Sequence, residues 1–289
     1  MTFPLRDGVA VLTGAAKGIG AALANCLASR GCHLALVDRD REGLAVVAAA
    51  ARGTGVQVSE HAADVADPAA PEMLREAVLA AHGRTSVLIN NAGVALLGRF
   101  DEIALADMEW LLGINFWGPV RLCKAFLPAL RREPAAHIVN LSSIFGIVAP
   151  AGQTAYAASK FAVRGFSEAL MHELEDTGVG VSVVHPGYVK TAIARNARVA
   201  AAMDRQEAAD RVARFDAFVG TGPQAAAERI VRGLERREKR IRIGGDAVRL
   251  DLLQRLFPVS YWALMKRRAA RTSRTTRERD QPQSGPREA

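Results

Sequence analysis

The sequence predicts an α/β protein, a doubly wound parallel sheet with helices on both faces. Three observations predict it. Short apolar runs bounded by Gly, Pro, Asn or Asp alternate with stretches of helical period between residues 8 and 187. Strands alternating with helices need crossover connections, which make the sheet parallel and cover both of its faces. No linker divides residues 5 to 245, so residues 1–245 are expected to form one domain.

The elements follow in order. "GVAVLTG" (8–14) reads as a buried strand, and "IGAALANCLASRG" as the helix after it, closed by Gly31. "HLALVD" (33–38) is the second strand, with a helix from about Arg41. Further strands are expected in "VQVSEHAAD" (56–64), "SVLINNAG" (86–93), "HIVNLSS" (137–143), "GVSVVHPG" (180–187) and "KRIRIGG" (239–245). Two long helices are expected, over about 104 to 131 and about 153 to 176. No short solenoid repeat is present.

Composition narrows the function classes. With 49% hydrophobic and 24% charged residues among 289, the chain has the make-up of an ordinary globular protein. "LAVVAAAA" (44–51) is the length of its longest apolar runs, far short of a membrane span. "MTFPLRDGVAVLTG" has no basic stretch followed by a long apolar core, so no secretory signal is read and a cytoplasmic location is expected. Cys26, Cys32 and Cys123 are odd in number and lack metal-ligand spacing. Reduced, buried thiols and no metal site are expected.

The net charge of +8 is unevenly placed. From Lys266 onward eight basic and three acidic residues give +5, leaving +3 for the first 265 residues. Residues 269–289 hold no apolar residues able to build a core and are expected to be a disordered basic tail. The tail has no interleaved aromatics and no recognisable nucleic-acid module, so no nucleic-acid partner is expected.

The first strand ends in "TGAAKGIG", where Gly14, Gly18 and Gly20 stand at a strand-to-helix turn. Glycines permit a tight turn and close approach of a pyrophosphate, and the helix N-terminus behind them offers free N–H groups. The bland alternative is a plain glycine-rich turn. The spacing is G-x-x-x-G-x-G rather than G-x-G-x-x-G, but strand and helix flank it as a Rossmann-type site requires. Asp38 ends the second strand, where a carboxylate can accept hydrogen bonds from both adenosine ribose hydroxyls and repel a 2′-phosphate. Lys17 and Arg39 are cations near the same place and can pair with a phosphate. Asp38 favours NAD; Lys17 and Arg39 keep NADP open.

"TAYAASKFA" (154–162) puts Tyr156 and Lys160 at i and i+4, on one face of a helix. Tyrosine is a poor base at its usual pKa of about 10. A neighbouring ammonium favours the phenolate, which can then take a proton from an alcohol.

These stretches, with "NNAG" (90–93), Asn115 in "INFWG", "NLSS" (140–143), "YAASK" (156–160) and "HPGYVKT" (185–191), resemble the short-chain dehydrogenase/reductase family. The motifs stand in the family's order over residues 5 to 195, and more loosely to about 245. The resemblance implies an NAD(P)-dependent oxidoreductase with catalytic Asn115, Ser143, Tyr156 and Lys160. Tyr156 would be the general acid/base and Ser143 would hold the substrate oxygen. Lys160 would also bind the nicotinamide ribose, and Asn115 would position a water linking Lys160 to solvent. Ser142 adjoins Ser143, and the interval to Tyr156 favours Ser143. The cofactor side would comprise Gly14, Lys17, Gly18, Ile19, Gly20, Asp38 and Arg39, then Asp64 at the adenine with Val65 beside it. Asn91, Ala92 and Gly93, and after them Pro186, Gly187, Val189 and Thr191, complete it together with Tyr156 and Lys160. His185 is read as a strand-end or core histidine.

Ala95, Ile144, Phe145, Gln153 and Tyr188 flank the expected catalytic residues and are candidate substrate-pocket walls. Most are apolar, which suggests a small hydrophobic alcohol or ketone. Residues 192–218 are helical in pattern and lie where the family carries a substrate lid. The family also implies a homodimer or homotetramer built on the two long helices. Within it, an enoyl reductase is disfavoured, since such members usually space Tyr and Lys more widely. A non-catalytic dinucleotide-binding scaffold or sensor is the alternative, and the full set of four catalytic candidates speaks against it.

Residues 246–268 read as an apolar helical extension broken at Pro258. Its leucines, Phe257, Tyr261, Trp262 and Met265 are too many to leave in water. Three uses compete. The extension packs on the subunit's own lid, buries itself in a second subunit, or lies on a membrane surface as a peripheral contact.

Overall fold

Seven parallel strands carry the centre of the protein in a computed structural model that describes residues 2–217 and 220–266. They are β1 (Val9–Thr13), β2 (His33–Asp38), β3 (Val58–Ala62), β4 (Val87–Asn90), β6 (Ala136–Leu141), β7 (Val179–Pro186) and β9 (Arg240–Ile243). The short β5 (Leu96–Leu97) and β8 (Arg198–Val199) pair with each other outside this sheet. The main sheet runs β3-β2-β1-β4-β6-β7-β9, with every neighbouring pair parallel. Every residue of β1, β4 and β6 is buried. That is why these strands read as continuous apolar runs rather than alternating ones. Strand order reverses direction between β1 and β4, and in open parallel sheets the carboxyl ends at such a point are where ligands bind.

Helices cover both faces, as a Rossmann-type fold requires. One face carries α1 (Gly18–Ala28), α2 (Arg41–Arg52) and α8 (Pro223–Glu235), whose Leu23, Leu44 and Ile230 join the core with Leu12 and Leu34. The other carries α3 (Ala70–His82), α5 (Gly118–Leu130) and α6 (Thr154–Glu173), packed through Leu74, Phe126 and Leu170. The helix expected over about 104 to 131 is two helices, α4 (Leu105–Leu112) and α5, joined by one π-helical turn at Gly113–Trp117. Such wide turns redirect side chains within a helix; here the turn holds Asn115, which is buried.

The lid region contains β8 and α7 (Arg205–Ala217). It is strapped down by the β5–β8 pairing and by a small apolar cluster of Leu97, Ala200, Met203 and Ala208. The extension forms α9 (Gly245–Leu256) and, after the break at Phe257 and Pro258, a helical turn at 261–266. Ala247, Leu250 and Tyr261 pack on Ile144, Ile147 and Val148, so the extension rests on the loop after β6 rather than on the lid. Asp251 anchors it: this carboxylate is 1% exposed and accepts from Arg240, Arg242 and Arg255 at 3.0 to 3.2 Å. The tail at 269–289 lies outside the described residues.

Removing one member of a buried ionic cluster leaves the others uncompensated, at a cost of about 3 kcal/mol. Asp251→Ala is therefore expected to lower the melting temperature by several degrees and to increase proteolysis within 246–266. Asp251→Asn, which keeps the volume but not the charge, is expected to fall between it and wild type. Calorimetry and limited trypsin digestion check this.

Candidate active site

The glycine turn is built for a tight approach. Gly14 has φ +65° and Gly18 φ +60°, a region that side chains with Cβ rarely adopt. A Cβ on Gly20 would stand 1.9 Å from the Gly14 carbonyl oxygen. The turn is pinned from β4: Asn91 Nδ2 donates to the carbonyls of Thr13 (2.9 Å) and Gly14 (3.0 Å). Thr13 Oγ1 accepts in return from the N–H groups of Asn91 and Ala92. Helix α1 has no capping side chain and no acid in its first turn. Its first N–H groups, at Gly18, Ile19 and Gly20, thus fit a pyrophosphate. Thr191 lies against this turn, its methyl 3.4 Å from where a Gly18 Cβ would be.

At the end of β2, Asp38 is held by two backbone donors. Its Oδ2 accepts from Ala16 N and its Oδ1 from Asp40 N, each at 3.0 Å. Lys17 Nζ pairs with Asp40 at 3.3 Å. Asp40 also caps α2 by accepting from Gly43 N. Arg39 is exposed. Asp64 follows β3 and turns back on Ala66 N, while Val65 is buried against Gly118. The sequence reading missed Asp40, although an acid three residues before Gly43 at a helix start is a capping signal.

The catalytic candidates converge beyond the carboxyl end of β6. The Ser143 hydroxyl faces the Tyr156 phenol closely enough to favour its ionised form, and Phe145 stands edge-on to the Tyr156 ring at 6.2 Å. Lys160 is 5% exposed, with its Nζ donating to Leu141 O at 3.1 Å and lying 5.7 Å from the Tyr156 ring centre. Ser142 does a different job: its Oγ donates to Lys160 O at 2.8 Å. Gly146 makes room for that bond, since a Cβ there would lie 2.2 Å from Ser142 Oγ. Asn115 accepts from Val94 N and donates to Val94 O and Ser159 Oγ. Both of its amide N–H groups are thereby committed, so a relay water could only donate to it. Gly93 faces Lys160, whose Nζ lies 3.5 Å from a Cβ built there.

Burial governs the electrostatics. It pushes the Lys160 ammonium down to about 8. It pushes the Tyr156 phenol up to about 12, with the Ser143 hydroxyl opposing the rise. Desolvation of the phenolate opposes the lowering expected from the Tyr–Lys spacing. A pKa raised in this way keeps the Tyr156 phenol protonated at neutral pH.

The segment after β7 closes the site. His185 is fully buried, and its Nδ1 donates to the Ser143 carbonyl at 2.9 Å. Burial drives its pKa down to about 4, so it is neutral and holds the catalytic loop as a strand-end residue. Gly187 lies against Asp246, which would meet a Cβ at 2.2 Å. Asp246 Oδ2 accepts from Tyr188 N at 2.8 Å. The sequence reading missed Asp246, 58 positions from Tyr188. Pro186 ends β7, and Val189 bridges to Thr221.

Of the pocket candidates, Tyr188 meets Phe215 of α7 at 5.5 Å, and Ala95 O accepts from Arg198 N of the lid. Gln153 precedes α6 and accepts from Ala157 N. Ile144 is 3% exposed and faces Ala247 of the extension. The thiols of Cys26, Cys32 and Cys123 are free and buried, and among the described residues no cluster suits a metal ion.

A fold, a glycine turn and a Ser–Tyr–Lys cluster in this arrangement define a nucleotide-dependent oxidoreductase, and comparison with known proteins places it. The family model for the short chain dehydrogenase matches residues 8–202. The chain is 42% identical over 260 residues to an oxidoreductase of Mycobacterium tuberculosis named SadH, covering 89% of this chain and 93% of that one. It is 38% identical over 195 residues to the D-threitol dehydrogenase of Mycolicibacterium smegmatis, covering 68% and 75%. A short-chain dehydrogenase/reductase from Burkholderia phymatum, solved with NAD, superposes with a TM-score of 0.81 at 32% identity, covering 88% of this chain and 95% of that one. A metagenomic member solved with NADP gives 0.67 at 31%, covering 84% and 100%. The chain belongs to the short-chain dehydrogenase/reductase family. It is an oxidoreductase acting on CH–OH groups with a nicotinamide dinucleotide.

The buried ammonium has a measurable signature. Lys160 carries a lower pKa folded, about 8, than its ordinary 10.5. The unfolded chain therefore binds more protons between these values, and stability rises with pH there. Lys160→Met is expected to be more stable than wild type at neutral pH, with the gap narrowing from about pH 8 to 10.5. Urea titrations across that range check the sign.

Proposed function

We propose that the protein interconverts a hydrophobic secondary alcohol and its ketone, with Tyr156 as general acid/base. The observation that carries this is the meeting of Ser143, Tyr156 and Lys160 at the carboxyl end of β6. The cofactor, when bound, takes up or supplies a hydride. In reduction, the Tyr156 hydroxyl gives its proton to the forming alkoxide, and Ser143 donates to the same oxygen. In oxidation the phenolate takes the alcohol proton. Lys160, already close to its deprotonation range, shares its charge with that phenolate and passes the proton onward. Phe145, Tyr188 and Phe215 supply apolar walls, which favour a hydrophobic substrate. A scaffold that only bound a dinucleotide would gain nothing from an ammonium buried at a cost beside a phenol.

NAD is the preferred cofactor in this reading. Asp38 is fixed by two N–H groups where the adenosine ribose would lie, and Lys17 is held by Asp40. The protein works in the cytoplasm as a dimer or tetramer through α5 and α6, near which Trp117 and Phe161 are left exposed.

Tyr156→Phe is expected to lower kcat by at least about 10³-fold, as loss of proton transfer does, with NADH affinity within twofold of wild type (~). Turnover at the wild-type rate would falsify the assignment. Cofactor choice has a separate test. Asp38→Ala is expected to shift binding toward NADPH. Asp40→Asn keeps the helix cap and frees Lys17, and since exposed ion pairs are worth about 1 kcal/mol or less, the gain in NADPH affinity is at most about fivefold. Nicotinamide fluorescence titrations measure both, and unchanged preference in Asp38→Ala counts against NAD selection by Asp38.

A further inference from the structure

Large apolar side chains are exposed at twelve described positions, and five of them fall within the twelve residues 248–259. Val248, Leu252 and Leu256 stand at i, i+4 and i+8 of α9, one face of the helix. They are 45%, 55% and 64% exposed, and Phe257 (45%) and Val259 (94%) continue the patch. The face cannot turn inward. Asp251, roughly a quarter-turn round α9 from the stripe, is locked among Arg240, Arg242 and Arg255. Beyond it, the Tyr261 hydroxyl accepts from Ala149 N at 3.1 Å. The helix is thus fastened to the body by one side, with an apolar stripe held outward. Contiguous exposed patches of this kind mark interaction sites.

Charge identifies the occupant. Arg249 and Arg255 border the stripe and are exposed. The chain then continues from Lys266 with eight basic and three acidic residues, a net +5. Residues 267–289 contain no Val, Ile, Leu, Met or aromatic residue, so this segment has nothing to cover the stripe with. A second copy seated here would bring two such basic segments together. An apolar stripe flanked by cations instead matches the boundary of an anionic bilayer, where side chains enter the acyl region and Lys and Arg meet phosphate.

We propose that the outer face of α9 forms a peripheral docking surface for an anionic lipid membrane. The assignment is independent of the substrate reading, because it rests on the outer face of α9 and not on the pocket. Among the described residues no helix is long and apolar enough to cross a membrane, so the contact is made from one side.

The test is flotation of the full-length protein with vesicles of phosphatidylcholine alone and with the same vesicles containing phosphatidylglycerol. Binding to the anionic vesicles is expected to be at least about tenfold stronger, and to weaken in high salt as the attraction is screened. Leu252→Glu combined with Leu256→Glu is expected to weaken it at least about tenfold. Both positions are exposed, so melting temperature and NADH affinity should stay at wild-type values, which separates lost docking from lost folding. The proposal is overturned by three results: no binding to either vesicle, undiminished binding by the double variant, or a double variant that merely becomes a smaller oligomer while wild type ignores vesicles. The last result would make this face a subunit interface.

Discussion

Helix α6 is held against the end of β6 by a hydroxyl and an absent side chain, and the site depends on that seam. Ser142 donates to the Lys160 carbonyl, and Gly146 leaves the space in which the bond is made. Deeper along the same contact, Asn140 donates to Ser167, and Asn90 donates to Asn140 from the neighbouring strand. A polar ladder thus runs from β4 through β6 into α6, all of it buried. Buried polar groups that are paired fix one arrangement, since any slip leaves them unsatisfied. The register of α6 decides whether Tyr156 and Lys160 face the crevice, so this seam is upstream of the chemistry.

The seam also explains how a destabilising group persists. Lys160 sits almost fully buried with Leu141 O as a hydrogen-bond partner, and its lowered pKa records the cost. Asn90 Oδ1 and His185 Nε2 are buried without partners nearby in the fold. Each would be cheaper as an apolar residue, and each sits beside a group the site needs held. His185 gives up one ring nitrogen to the core so that the other can grip Ser143 O. Such local violations are tolerated where the surrounding packing is strong enough to impose them. Here the fully buried strands β1, β4 and β6 provide that rigidity.

Much of this was legible in the sequence because it is local. The glycine turn, the i and i+4 pair, and the strand-helix alternation each lie within a few residues, and the family likeness joined them. The substrate side was less legible, because it is made by contacts across long separations. Asp246 fixes the turn after β7 from 58 positions away, and nothing around "GGDAV" announces it. The π-helical turn at Gly113–Trp117 was hidden for a different reason. One extra residue per turn leaves the apolar period almost unchanged, so a single long helix fits the pattern equally well. The burial that raises the phenol's pKa was not legible either, because spacing reports the neighbouring ammonium but not the desolvation.

The extension connects these threads. It touches the catalytic loop through Ala247 and Tyr261 on Ile144, Ile147 and Val148, and the turn after β7 through Asp246 on the backbone of Tyr188. A Ser143 loop without that support would keep only backbone-directed ties, from His185, from the Ser142 seam and from Arg164 to Gly146 O. The extension is therefore part of the active site's framework although it supplies none of the four catalytic candidates. Asp251 serves that framework by fixing α9 to β9, the edge strand that pairs with β7. A force applied to the outer face of α9 would reach Ser143 through packed side chains and not through a flexible linker. Rigid attachment of this kind is what allows an outer face to be specialised for a partner while the inner face keeps the geometry that proton transfer needs.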